Sequence, residues 1–194
     1  TNLRIVTGAL VTGIAITGQR ATGVHYQVDG AIVRPLPIQE GGIPIWVAGG
    51  GEQVTLKIAA KYARYTNFGA GDIDAWVRKS ELLREHCEAA GTSFDAITRS
   101  ANFNVSIAAT EQAAQDVFDD WVRRLERVVG AESTARYVGQ FGTGNLIGTP
   151  EQIVAFLRER EAVGLDYTIA YFPNVANDRA GQELFEREVI PALA

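Results

Sequence analysis

Residues 43–52 read IPIWVAGGGE, an apolar run that passes directly into three glycines. The apolar part has the length of a buried β-strand, and a helical spacing of apolar residues follows to about residue 63. Glycines in a strand-to-helix turn let the backbone approach a ligand closely, and a helix N-terminus attracts an anion. The turn therefore predicts a phosphate-binding site, with a tight turn that binds nothing as the alternative. The residues of the predicted site are Ala48, Gly49, Gly50, Gly51 and Glu52.

The alternation of strand and helix continues from this turn to residue 189. Strands are predicted at 43–48, 64–68, 103–109 and 167–172, and helices at about 52–63, 74–90, 110–129, 149–163 and 179–189. Strand-helix repetition with short loops predicts parallel strands joined by right-handed crossovers. A complete (β/α)8 barrel takes about 250 residues. Four such units in 194 residues therefore predict an α/β fold that amounts to half a barrel.

The first 40 residues have a weaker pattern. Short strands are predicted at 3–7 and 10–17, and the alternation around His25 predicts a hairpin or an extended arm. We predict one domain over residues 1–194. Within it, residues 1–40 form a divergent leader and extended arm, and residues 41–194 carry the four strand-helix units.

The composition is that of a globular domain, with a formal net charge of -5, 46% hydrophobic residues and 21% charged residues. The acidic balance argues against nucleic-acid binding, which depends on clustered Lys and Arg. Cys87 is the only cysteine and there are two histidines, so neither an intrachain disulfide nor a metal site is predicted. The apolar residues 5–18 are too few for a membrane-spanning helix of about 20 residues. We expect a cytoplasmic protein with a small-molecule substrate and no nucleic-acid or membrane partner.

Two predicted strands end in side chains that suit a binding site. Asn67 and Phe68 close one strand, and Tyr171 lies at the end of another. Carboxyl ends of parallel strands are where ligands bind in such folds, so these three residues are predicted to bind substrate. The alternatives are that Asn67 caps the turn into Gly69, and that the aromatic ring of Tyr171 only packs the interior.

No catalytic constellation is visible in the sequence. His25 has no second His or carboxylate at a ligand spacing, so a structural or surface role is favoured for it. His86 and Cys87 lie in the middle of a predicted helix, and Cys87 falls on its apolar face, so a core role is favoured for Cys87. Catalytic residues therefore stay unassigned. The predicted loops at the carboxyl ends offer three carboxyl groups, those of Glu52, Asp72 and Asp178.

Several short motifs, in order along the chain, resemble the luciferase-like monooxygenase superfamily. They resemble most its coenzyme F420-dependent branch, which also includes FMN-dependent relatives. The resemblance covers about residue 20 to the C-terminus, and its motifs are GVHYQV at 23–28, the Pro35, Pro37 and Gln39 spacing, IPIWVAGGGE at 43–52, GTPE at 148–151, GLD at 164–166 and EVIP at 188–191.

The resemblance implies a TIM-type barrel that binds a deazaflavin or flavin at the carboxyl ends of its strands. The glycine turn at Gly49, Gly50 and Gly51 would hold the cofactor phosphate, and Asn67 and Phe68 would face the cofactor or substrate. The implied cofactor is coenzyme F420, with FMN as the alternative. The implied reaction is hydride transfer to or from a small organic substrate, or monooxygenation in the FMN branch.

The first four strands of that family's barrel have no recognisable counterpart in this sequence. The fold class is therefore a TIM-type barrel truncated to its C-terminal strands and helices. Unpaired strand edges and an apolar inner face favour pairing with another chain, so a homodimer is expected. Two alternatives stand beside the oxidoreductase: a non-catalytic flavin-binding or degenerate half-barrel, and a structural half-barrel without a ligand.

Overall fold

The computed structural model describes residues 10–27 and 43–194, which fall into two compact units. The described part of the first unit comprises residues 10–27, 43–66 and 81–98. The second unit comprises residues 67–80 and 99–194. The assignment of residues 1–194 to one domain stays a prediction.

The first unit contains an antiparallel hairpin. Strand β1 (Leu10–Thr17) pairs with β2 (Arg20–Gln27), and Gly18 turns the chain between them with φ +60°. Strand β3 (Ile43–Pro44) pairs with the start of β2. The predicted strand at 10–17 is thus confirmed. The hairpin or extended arm predicted around His25 continues beyond residue 27, outside the described residues, and stays a prediction. The other predicted strand, at residues 3–7, lies outside the described residues.

The apolar run at 43–48 was predicted as one strand but forms two strands. Strand β4 (Trp46–Ala48) follows β3 after a break at Ile45 and pairs with β5 (Tyr65–Asn67). Helix α1 (Thr55–Tyr62) lies between them and buries Leu56, Ala59 and Ala60. It begins three residues later than predicted.

Helix α2 (Ile73–Ala90) runs through both units. Its apolar residues are buried, with Trp76 in the second unit and Leu83 and Cys87 in the first. Asp72 Oδ1 accepts hydrogen bonds from the N–H groups of Asp74 and Ala75, so Asp72 caps the helix.

Strand β6 (Thr98–Ile107) organises the second unit. It pairs in parallel with β7 (Asn145–Gly148) and β8 (Tyr167–Tyr171), as the strand-helix repetition predicted. Side chains alternate across a strand, and one face of β6 is apolar and buried. Its members are Ala101, Phe103, Val105 and Ile107, each at most 3% exposed.

Two helices of the second unit begin at strong sequence signals, and a third has no such signal. Helix α3 (Glu111–Val129) is capped by Thr110, and α5 (Pro150–Glu161) begins with a capping box formed by Thr149 and Gln152. Helix α4 (Ala131–Phe141) and strand β7 were not predicted. The count of four strands after residue 40 was therefore wrong, because the split at Ile45 and the four-residue strand β7 add two.

The C-terminal helical segment passes the proline at which it was predicted to end. It consists of α6 (Ala180–Leu184), a π-helical stretch (Phe185–Val189) and α7 (Ile190–Leu193). Pro191 stands in the first turn of α7, where a missing N–H removes no helical hydrogen bond. In neither unit do the described strands form a closed barrel. None of the described helices combines the length and apolar character needed to cross a membrane.

Candidate functional site

The glycine turn lies in the first unit between β4 and α1. Gly49 has φ +114°, a conformation that side chains of L-residues rarely adopt. A Cβ built on Gly51 would lie 2.9 Å from Thr55 Oγ1, so a side chain at this position would displace the threonine. Leu56 N–H donates to the Gly51 carbonyl oxygen at 3.0 Å and fixes the entry to the helix. The backbone conformation thus favours glycine at position 49, and the Thr55 side chain leaves little room for a side chain at position 51.

Thr55 is the residue of this turn that the sequence analysis missed. Its Oγ1 lies 3.9 Å from the position of a Cβ on Gly49, directly beside the glycine backbone. Among the described residues, no hydrogen bond engages the Thr55 hydroxyl. The signal that could have identified it is a hydroxyl residue in the first helical turn after a glycine run.

The N-terminus of α1 has no side-chain cap. Val54 stands at the N-cap position, and its side chain forms no capping hydrogen bond. The first N–H groups of a helix have no intrahelical partner. Leu56 N–H already donates to the Gly51 carbonyl oxygen. The other first-turn N–H groups and the Thr55 hydroxyl, which has no partner among the described residues, are donors of the kind that bind an anionic oxygen.

His86 supports the turn from helix α2. Its Nε2 donates to the Glu52 carbonyl oxygen at 3.1 Å. Ala48 is exposed at the end of β4, and Trp46 of the same strand stacks on Tyr65 with ring centroids 4.6 Å apart. The role that the structure gives His86 is therefore to hold the glycine turn.

Asn67 lies in the second unit, and its side chain is oriented by β6. Its Nδ2 donates to Asn102 Oδ1 at 2.6 Å and to Ser100 Oγ at 3.1 Å. The side chain thus bonds across the strands and does not cap the turn into Gly69. Both N–H donors of the amide are used, which leaves its carbonyl oxygen as the group that could accept a hydrogen bond from a ligand.

A polar stripe occupies the face of β6 opposite the apolar one. It consists of Ser100, Asn102, Asn104 and Ser106, which alternate with the buried apolar residues. Asn104 Nδ2 donates to Asn145 Oδ1 at 3.2 Å, and Asn145 Nδ2 donates to the carbonyl oxygens of Val138 and Gly142. The stripe is therefore a hydrogen-bonded row of amides and hydroxyls. The sequence analysis recognised only Asn67 of this network.

Phe68 is placed differently from the prediction. It is 3% exposed and packs on Trp76, with ring centroids 4.5 Å apart. Neighbouring residues of an extended strand face opposite sides, so Asn67 and Phe68 cannot both face one ligand. Tyr171, in contrast, is 47% exposed and stands opposite Asn104 in the pairing of β6 with β8. The substrate roles of Asn67 and Tyr171 stay predictions.

Two of the three predicted carboxyl groups have structural partners. Asp72 caps α2, and Asp178 Oδ1 accepts from Ala180 N–H at the start of α6. The Cys87 thiol is buried, as predicted, and burial raises its pKa, which makes it a poor nucleophile. Within residues 10–27 and 43–194, no cluster of three or more His, Cys, Asp or Glu side chains could hold a metal ion.

Comparison with known proteins places these features in a family. The profile of the luciferase-like monooxygenase family matches residues 4–167. An F420-dependent glucose-6-phosphate dehydrogenase of Mycolicibacterium gilvum is 27% identical over 191 residues, which cover 88% of this chain and 54% of the relative.

Two solved structures illustrate the fold. The coenzyme F420-dependent tetrahydromethanopterin reductase of Methanopyrus kandleri superposes with a TM-score of 0.58 at 22% identity, over 89% of this chain and 59% of that chain. A riboflavin lyase solved with a modified FMN and riboflavin gives a TM-score of 0.56 at 16% identity, over 88% of this chain and 46% of that chain. The α/β fold is thus that of part of a luciferase-like TIM barrel. The chain spans about half the length of the relatives it matches.

Proposed function

Because the chain belongs to the luciferase-like monooxygenase family, we propose that it carries the cofactor-phosphate site of an oxidoreductase that uses coenzyme F420. The reaction proposed is hydride transfer between this cofactor and a small organic substrate. One observation carries the proposal: the Thr55 hydroxyl, with no partner among the described residues, lies beside Gly49 and Gly51. The F420-dependent dehydrogenase and reductase among the relatives support the same cofactor.

The residues present fit a phosphate group. Gly49 and Gly51 have no side chain that would keep a ligand away from the backbone. The N-terminus of α1 has no side-chain cap, and Thr55 has a hydroxyl donor. We expect backbone N–H groups of the turn and Thr55 Oγ1 to donate to phosphate oxygens, while His86 holds the Glu52 peptide in place. When bound, F420 supplies the hydride chemistry. The chain supplies the turn that holds the phosphate and so orients the cofactor.

FMN is the alternative cofactor, because backbone N–H groups that hold a phosphate do not distinguish one attached ring from another. The riboflavin lyase solved with a modified FMN supports this alternative. With FMN, the proposed reaction becomes monooxygenation of a small organic substrate.

A non-catalytic flavin-binding protein is the second candidate function. It is favoured by the structural use of the carboxyl groups, since Asp72 and Asp178 both cap helices. Such a protein would bind the cofactor through the same turn and would not turn it over.

The test is a fluorescence titration of the purified protein with F420 and, separately, with FMN. We compare Thr55→Val, which removes the hydroxyl, with Thr55→Ser, which keeps it. A hydrogen bond to a charged group contributes about 1.5–3 kcal/mol, so Thr55→Val should weaken binding at least about tenfold, and Thr55→Ser should bind nearly as the parent does. Gly51→Val should abolish binding because its side chain collides with Thr55.

Three outcomes decide between the candidates. Preferential binding of F420 that depends on Thr55 supports the proposal, and preferential binding of FMN supports the alternative cofactor. Tight binding without cofactor turnover over a panel of alcohols, sugar phosphates and carbonyl compounds favours the non-catalytic protein. Absence of binding to either cofactor overturns the phosphate site.

A further inference from the structure

An open groove of about 630 Å³ lies in the second unit, beside the carboxyl end of β8. Strand β6, helices α3, α4 and α6 and the segment after β8 supply its lining, which includes Asn104, Trp121, Tyr137, Tyr171 and Gln182. None of the described residues that line the groove has a charged side chain. Its volume lies in the size range of small-molecule sites.

Aromatic rings form much of the groove surface. The rings of Trp121 and Tyr137 meet edge to face, with centroids 6.1 Å apart. Tyr137 and Tyr171 are 45% and 47% exposed, so part of each ring surface is uncovered. Uncovered ring faces stack well on a planar ligand. The groove therefore has a surface that a flat aromatic compound would cover.

Asn104 is the buried polar side chain of the groove. It is 4% exposed and stands opposite Tyr171 in the pairing of β6 with β8. Its Nδ2 donates to Asn145 Oδ1 at 3.2 Å, whereas no hydrogen bond within the described part of the chain engages its Oδ1. An acceptor that is buried without a partner is destabilising. A ligand that carries a hydrogen-bond donor would supply this partner.

The other polar groups of the lining are compatible with the same kind of ligand. Gln182 Nε2 donates to Glu186 Oε1 at 2.8 Å, and among the described residues its Oε1 accepts no hydrogen bond. The hydroxyls of Tyr137 and Tyr171 can either donate or accept. Because no charged side chain lines the groove, a charged ligand would lose hydration without gaining a counter-ion. The lining therefore favours a neutral ligand with a donor.

We propose that this groove binds a neutral, planar aromatic compound with an N–H donor. Its ring lies against Tyr137 and Tyr171, and its N–H donates to Asn104 Oδ1. The proposal goes beyond the proposed function, because every residue it uses belongs to the second unit and the binding needs no cofactor.

Isothermal titration calorimetry without any cofactor tests the binding site. The probes are indole, benzofuran, which has the same shape without the N–H, and indole-5-carboxylate, which keeps the N–H and adds a charge. We expect indole to bind about fivefold more tightly than benzofuran, the factor that corresponds to about 1 kcal/mol for a neutral hydrogen bond. The carboxylate should bind at least about tenfold more weakly than indole, because its charge has no partner. Equal affinities for indole and benzofuran, tighter binding of the carboxylate, or no binding of indole at millimolar concentration would overturn the proposal.

Two asparagine variants test the hydrogen bond. Asn104→Ser should bring the ratio of indole to benzofuran affinity from about fivefold to about one, because the shorter side chain withdraws the acceptor. Asn102→Ser is the matched control on the same strand, since Asn102 does not line the groove, and its ratio should stay that of the parent protein. Because both probes are measured on one protein, a general loss of stability does not change the ratio. An unchanged ratio in Asn104→Ser would contradict the role of Asn104.

Two tyrosine variants test the stacking surface. Tyr171→Leu should weaken indole and benzofuran alike, by about threefold or more, because it removes a ring on which both stack. Tyr167→Leu is the control, since Tyr167 is equally exposed on β8 at 50% but does not line the groove. Equal effects of the two variants on indole would contradict the placement of the ring.

The titrations also separate this proposal from the proposed function. If the parent protein binds indole but neither cofactor, the groove stands and the oxidoreductase proposal fails. If it binds F420 but not indole, the groove proposal fails alone.

Discussion

Arg160, on helix α5, donates a hydrogen bond from Nη2 to the carbonyl oxygen of Gly71 at 2.8 Å, across 89 residues of chain. Its Nε donates to the neighbouring carbonyl of Ala70 at 2.9 Å, and its guanidinium lies 3.3 Å from the centroid of the Phe156 ring. Burial lowers the pKa of Arg160, and the carboxylate of Glu159 acts in the opposite direction. The loop that follows Asn67 and Phe68 is therefore fastened to α5 by one buried side chain.

Arg160→Met should destabilise the protein by about 3 kcal/mol, because it leaves two carbonyl oxygens without donors in a buried setting. Arg160→Lys should recover less than half of this loss, since an ammonium group lacks the planar fork. Urea denaturation gives the free energies of unfolding. The matched control is Arg158→Met on the same helix, where an exposed ion pair with Glu161 is lost and the change should stay below about 1 kcal/mol. Equal losses from the two methionine variants would contradict the fastening role.

Gly49→Ala should lower the free energy of unfolding by about 1 kcal/mol, because alanine must adopt the φ of +114° that glycine tolerates. Gly69→Ala is the control, since no atom lies within 4 Å of the added Cβ and its φ is not in the positive range. Thermal and urea unfolding of both variants measure the difference. A loss at Gly69 as large as that at Gly49 would show that the strain at Gly49 is not the cause.

Thr149→Ala should cost about 1 kcal/mol through the loss of the α5 capping box. The Thr149 hydroxyl accepts from Gln152 N–H, and Gln152 Oε1 accepts from Thr149 N–H at 3.0 Å. Thr149→Ser keeps the hydroxyl and should restore most of the stability. The midpoints of urea unfolding of the two variants report the result, and a serine variant as unstable as the alanine variant would refute the capping account.

The Cys87 thiol should make the protein less stable in alkali. Burial raises its pKa, while a hydrogen bond with Thr92 and the charge of Arg84 oppose the rise. The folded protein therefore holds this proton more tightly than the unfolded chain, and the free energy of unfolding falls as pH rises through the unfolded thiol pKa of about 8.5. Cys87→Ala should lose less stability than the parent protein between about pH 7 and 9.5. Urea unfolding at both pH values checks this, and identical losses would contradict it.

The sequence predicts best those helices that begin at a recognisable capping side chain. The hydroxyls of Thr110 and Thr149 fix the starts of α3 and α5 within one residue of the prediction. Helix α4 begins directly after Gly130, which also ends α3 with φ +82°. Because a single residue separates the two helices, the spacing of apolar residues does not show where α4 begins. Strand β7 has four residues, too few to show a period.

The site is predicted only as far as single positions allow. The glycine turn can be predicted from its own residues. Whether the Thr55 hydroxyl has a hydrogen-bond partner depends on how helix α1 begins, which the sequence does not show. The burial of Phe68 depends on which side of the strand its side chain faces. The predicted homodimer and cytoplasmic location stay predictions, and sedimentation equilibrium should find twice the 21.0 kDa chain mass if the former holds.

The polar stripe of β6 contains only hydroxyls and amides, in Ser100, Asn102, Asn104 and Ser106. None of these groups gains or loses a proton between acid and alkali in the range where proteins stay folded. The stripe therefore presents the same pattern of donors and acceptors across that range. Any ligand held there would bind with a pH dependence set by its own ionisation, so the acidity of the compound, and not that of the protein, would determine when the site fills.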